Sequence, residues 1–205
     1  MAQEQRYTLR EHVLEFRRRL IVAAIAVAIG TAVGFFLSDP VFRALKAAAP
    51  GVDLVYIELP EYIAIYFKVS LLAGLALASP VVVYELVMFV APGLTPKERR
   101  FLYALLPAAL LSFLAGAAFA YFVLLPPALR FLLSFGSDIA RPQIRISNYI
   151  NVVSNLVFWV GVTFEMPLVI AFLARLGVVS HRHLMRWQRW AIVAAFVLGA
   201  IITPT

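Results

Sequence analysis

The sequence predicts an all-α polytopic membrane protein, a bundle of five transmembrane helices. Three observations carry this. Of 205 residues, 63% are hydrophobic and 14% charged, with a mean hydropathy of +0.90; a soluble domain has roughly 45–50% apolar and about 25% charged residues. The apolar residues gather in five runs, near 20–37, 62–91, 101–125, 148–176 and 190–202, most of them at or beyond the ~20 residues that cross a bilayer. No internal repeat or low-complexity linker divides the chain, so 1–205 reads as one transmembrane domain. Cysteine is absent, which excludes disulfides and thiolate metal sites.

In the segment 1–19, "YTLREHVLEFRRRL" places Leu9, Val13, Phe16 and Leu20 at helical spacing with charges on the other face. It reads as an amphipathic helix on the membrane surface, or simply as a basic orientation signal. The first span is too long for a secretory leader and is expected to stop at Asp39-Pro40. From Val41 to Glu61, "VFRALKAA" and "VDLVYIELP" suggest a short surface helix and a cap over the bundle. The second run is long, ~45 Å at 1.5 Å per residue, and Pro80 gives it a place to bend. Pro92 and Pro167 are the other expected kinks. The third run is expected to end at Pro126-Pro127. The fifth is short.

Twelve Lys and Arg fall on the side of the N-terminus and five on the other. The positive-inside rule then makes the N-terminus cytoplasmic. The net charge of +7 is accounted for by this asymmetry, and no nucleic-acid partner is expected.

Three charges fall inside spans: Lys68, Glu85 and Glu165. Lys68 and Glu85 lie near span ends, where long side chains can snorkel. Glu165 is two residues from the centre of its apolar run, ~3 Å along the axis. Pro167 lacks an N–H, so the Thr163 carbonyl loses its helical partner. Glu165 either satisfies such a carbonyl or faces a cavity or partner helix, where intramembrane carboxylates usually sit.

No P-loop, HExxH or GxSxG motif is present, and His181 and His183 are too few for a convincing metal site. Neither a cofactor, a metal nor an enzymatic activity is expected. Glu15 in "LEFRRRL" and Glu98 in "APGLTPKERR" lie at the same membrane surface beside clusters of arginine. Glu15 can pair with Arg18 or Arg19 at i+3 or i+4, and Glu98 can be solvated among its basic neighbours. Alternatively, the two carboxylates could take the guanidinium groups of a peptide through bidentate charge-assisted bonds.

Several stretches, in order along the chain, resemble the TatC family of the twin-arginine protein translocase. They are "EHVLEFRRRL", "FKVSLLAGLALASPVVVYELVMFVAPGLTPKERR", "AYFVLLPPALRF", "VGVTFEMPLVIAFLARLGVVS" and "LGAIITPT". The resemblance implies a concave, glove-like wall of six helices, the last beyond Thr205, in a bacterial or archaeal cytoplasmic membrane. It implies a receptor and scaffold for paired-arginine signal peptides of folded cargo. Single-span TatA- and TatB-like subunits would assemble on it in a multi-subunit or homo-oligomeric complex driven by the proton-motive force. By the same resemblance Glu15 and Glu98 meet the signal's arginines, with Arg17 and Phe89 nearby, and Glu165 is an intramembrane polar contact. Position 85 is Glu where the family often has Gln. A rival reading is a proton-coupled small-molecule or ion transporter using Glu165, although no inverted repeat supports it.

Overall fold

The computed structural model describes residues 9–49, 52–90, 96–134 and 143–202; side chains at a few of these positions, those of 96–101 among them, are not described. Helix α1 spans Leu9–Ala47, α2 Glu61–Val90, α3 Pro96–Phe119, α4 Leu125–Ser134, α5 Ile146–Arg175 and α6 His181–Ile202. A π-helical turn, Ala120–Leu124, joins α3 to α4. Two short strands, β1 (Leu54–Val55) and β2 (Ile144–Arg145), pair in parallel, Leu54 with Ile144 and Val55 with Arg145. Among the described residues, four segments are long and apolar enough to cross a membrane: Glu11–Ala47, Glu61–Val90, Leu105–Ser134 and Ile146–Arg175. The fifth predicted run forms the second half of α6.

Two expected breaks are absent, each for a different physical reason. The amphipathic N-terminal segment and the first span form one helix, and α1 runs through Asp39-Pro40 to Ala47. Proline costs one intrahelical bond, here at the Phe36 carbonyl. The final turns are held from outside: Phe42 and Leu45 are buried in the core, and α1's last carbonyls have distant donors. The hydroxyls of Tyr121 and Tyr149 donate to the carbonyls of Ala44 and Leu45 at 2.7 and 2.8 Å. These are carbonyls that a helix end leaves without intrahelical partners.

The third span likewise passes Pro126-Pro127 and ends at Ser134. The π turn shifts the bonding register, with the Leu125 N–H donating to the Ala120 carbonyl. The two prolines then fall in the first turn of α4, where a missing N–H costs little. Of the expected kinks, Pro80 and Pro167 lie inside continuous helices, and Pro92 lies outside the described residues.

The membrane offers no hydrophobic drive between helices, so close packing of small residues must hold them. Along α1, Gly30, Gly34 and Ser38 recur every four residues and meet Ser70, Gly74 and Ala78 of α2. A Cβ on Gly74 would collide with the Thr31 backbone, and one on Gly34 with the Ser70 carbonyl. Ser38 Oγ and Ser70 Oγ share a hydrogen bond of 2.6 Å inside this seam. Helices α3 and α5 use a reciprocal arrangement, with Phe164 over Gly116 and Phe113 over Gly161.

The segment between α1 and α2 does form a cap, built differently from the short helix expected. Glu61 opens α2 and accepts from the backbone N–H groups of Ile57 and Glu58 at 3.0 and 3.3 Å. It also accepts from Arg145 Nη2 at 3.1 Å and the Ser147 N–H at 3.2 Å. Arg145 reaches Glu58 as well, at 3.2 Å. These bonds hold the Arg145 guanidinium's pKa above its ordinary value.

Candidate functional site

The first helical turns of α1 and the last turns of α2 meet at the end of the bundle opposite the cap. Glu15 on α1 accepts two bonds at Oε1 from Arg19, from Nη2 at 2.6 Å and Nε at 3.2 Å. The i+4 spacing places the two groups on one helix face. Arg19 also crosses to α2, where Nη1 donates to Glu85 Oε2 at 3.0 Å. One guanidinium therefore bridges two carboxylates on two helices. Among the described residues, Glu15 Oε2 is shielded from solvent and has no hydrogen-bond partner. Beside this bridge lies a cavity of about 530 Å³, lined by Glu11, Leu14, Glu15, Arg18, Arg19, Val22, Tyr84, Glu85 and Met88.

Phe89, one turn beyond Glu85, stacks on His12 with ring centroids 4.6 Å apart and tilts against Phe16 at 5.2 Å. This aromatic cluster adjoins the charged bridge, one helical turn from Glu85, without lining the cavity. Among the sequence candidates, Glu15 lines the cavity and Phe89 lies beside it. Arg17 is exposed and does not line the cavity. Glu98 belongs to α3, but its side chain lies outside the described residues. Glu85 does not snorkel to the headgroups alone as expected; it is tied to Arg19. The sequence held a signal for this tie, since a carboxylate near one span's end and an arginine cluster at the preceding span's start attract each other at low dielectric.

Glu165 lies elsewhere, on α5, with 7% of its surface exposed. The carbonyl freed by Pro167 is that of Thr163; the next one along, at Phe164, accepts from Ser112 of α3 at 2.8 Å. Ser79 of α2 faces Glu165, yet among the described residues Ser79 Oγ and Glu165 Oε1 are both buried without a hydrogen-bond partner. Lys68 donates to Asn151 Oδ1 on α5 at 2.7 Å, in a cleft it shares with Glu58, Glu61 and Arg145.

A multi-pass helical membrane protein with a polar groove at one end and no assembled catalytic group among the described residues has the build of a docking or transport component. Residues 11–205 match the family model described as Sec-independent protein translocase protein (TatC). The chain is 40% identical over 202 residues to the Sec-independent protein translocase protein TatC of Aquifex aeolicus, covering 96% of this chain and 84% of the relative. It is 36% identical over 199 residues to that of Carboxydothermus hydrogenoformans, covering 96% and 82%. A crystal structure of a twin arginine translocase receptor, TatC, in DDM superposes with a TM-score of 0.83 at 40% identity, covering 95% of this chain and 89% of that one. The chain belongs to the TatC family. It is a membrane-embedded component of a multi-subunit protein translocase and not a catalytic enzyme.

Proposed function

We propose that the chain is the translocase's receptor for export signals carrying paired arginines. Glu15 and Glu98 take the two guanidinium groups, and Phe89 supplies an apolar wall beside them. The observation that carries this reading is the spare, shielded Oε2 of Glu15 next to a 530 Å³ groove. A carboxylate oxygen shut off from water gains most from an incoming guanidinium, which can bind two oxygens in a fork. An ammonium presents one point charge and cannot reproduce that geometry. The solved relative is described as a twin arginine translocase receptor, which supports the same reading. The wider scheme follows from the family: single-span TatA- and TatB-like partners, transport of folded cargo on the proton-motive force, and residence in a bacterial or archaeal cytoplasmic membrane. Twelve basic residues against five support an N-terminus on the cytoplasmic side, which puts the groove where a signal peptide first arrives.

The test is a titration of the purified chain with a labelled signal peptide and with the same peptide carrying two lysines. The arginine peptide is expected to bind at least about tenfold tighter, equivalent to ~1.4 kcal/mol. Glu15→Ala and Glu98→Ala are each expected to abolish that difference. Equal binding of the two peptides by the parent chain would refute the proposal.

A further inference from the structure

We infer that Arg19 is an internal stand-in for a signal arginine, and that Glu85 is the berth to which it retreats when the peptide binds. The inference rests on the proposed recognition of arginine by Glu15. It assigns to Arg19 and Glu85 a positioning and regulating role that the recognition motif alone does not contain.

The geometry has three parts. First, Arg19 occupies Glu15 as a ligand would, with Nε and Nη2 both on Oε1. A forked bond from an incoming guanidinium needs both oxygens of Glu15, so Arg19 must release Oε1. Second, Arg19 does not have to enter lipid or water when it does so. Its remaining amino group, Nη1, is already 3.0 Å from Glu85 Oε2. The side chain can keep that contact while it gives up the other. Third, the cavity that would receive the peptide is lined by both carboxylates and by Arg19 itself.

The exchange is a competition between two guanidinium groups for one carboxylate. Apparent affinity falls by the fraction of time the site is open. If Arg19 holds Glu15 for about two-thirds of the time, its removal tightens peptide binding about threefold. The competition also filters ligands. A lysine or lone-arginine peptide that makes fewer bonds to Glu15 displaces Arg19 less often, so the internal arginine sharpens discrimination.

The experiment measures signal-peptide affinity on the full chain in detergent by fluorescence anisotropy, with paired-arginine and paired-lysine peptides, for the parent, Arg19→Gln and Glu85→Gln. Arg19→Gln removes the competitor, and the arginine peptide is expected to bind about threefold tighter or more. Glu85→Gln takes the charge from the berth and leaves Arg19 on Glu15, so binding is expected to weaken about threefold. Opposite signs are the signature. Both substitutions break the same tie between α1 and α2, so a structural role alone would shift both in one direction. Should Arg19→Gln fail to fold, Arg19→Lys takes its place, because one ammonium holds Glu15 less firmly than a fork; affinity is again expected to rise. Shifts of the same sign, or none, with arginine-over-lysine preference intact in the parent, would overturn the exchange and leave recognition standing. Loss of that preference in the parent would overturn both.

Discussion

Adding one methyl group at Gly74 tests whether backbone contact holds α1 to α2. A Cβ there would overlap the N and Cα of Thr31, atoms that no side-chain rotation can move aside. The helices must separate by roughly 1 Å to restore van der Waals distance, which also stretches the 2.6 Å bond between Ser38 and Ser70 one turn away. Overpacking of this kind costs about 1–3 kcal/mol, and rigid backbone on both sides puts Gly74→Ala near ~3. Alanine returns about 1 kcal/mol of helix propensity, leaving a net loss near 2 kcal/mol. At roughly 2–4 °C per kcal/mol for a chain of this size, the midpoint of a thermal melt in detergent is expected to fall by about 4–8 °C. Gly199→Ala is the control: a Cβ there meets nothing within 4 Å, and its midpoint should hold or rise. If the two variants melt alike, the glycine seam does not hold α1 against α2.

Three further outcomes follow from other contacts. Asn151→Leu removes the acceptor of Lys68 Nζ and is expected to cost about 1–3 kcal/mol; adding Lys68→Met should restore most of it, as a double-mutant melt would show. Glu61→Gln weakens the bonds to Arg145, Ser147 and the Ile57–Glu58 backbone together, so amide exchange at Leu54–Val55 and Ile144–Arg145 should speed up while the amides of α2's second half keep their protection. Glu165→Gln, which does not touch the lining of the Glu15 groove, should leave arginine-peptide binding within about twofold, a shift of ~0.4 kcal/mol, while lowering transport in a reconstituted assay; loss of initial binding would contradict its separation from the groove.

The sequence disclosed what depends on composition and period. Apolar runs marked the helices, since a bilayer admits little else. It misplaced the ends at Pro40 and Pro126-Pro127: α1 persists through partners far along the chain, Tyr121 and Tyr149, and the third span continues through a π turn that shifts its bonding register. Local rules register the missing N–H and not the hydroxyl that compensates. The stretch Gly30-Thr31-Ala32-Val33-Gly34 was readable as a close-packing motif, but only the facing Ser70 and Gly74 show what it packs against. At the groove, helical spacing offered Arg18 or Arg19 as partners of Glu15, and Arg19 takes the role. That the same arginine also reaches Glu85 depends on the crossing of α1 and α2, which no spacing within one helix encodes.

The two ends of the bundle differ mechanically. At one end the β1–β2 pairing and the Glu61–Arg145 bonds join segments some 90 residues apart in sequence, so the loops before α2 and before α5 move as a unit. At the other, the described ties between α1 and α2 are one exchangeable guanidinium and the packing of Phe89 on His12 and Phe16. Between the two ends the glycine seam keeps α1 and α2 in backbone contact, so rearrangement at the charged end is one of side chains. A ligand that parts Arg19 from Glu15 breaks a bond within α1 and leaves the bond from Arg19 to Glu85 in place, so guanidinium groups can trade places there without prising the helices apart.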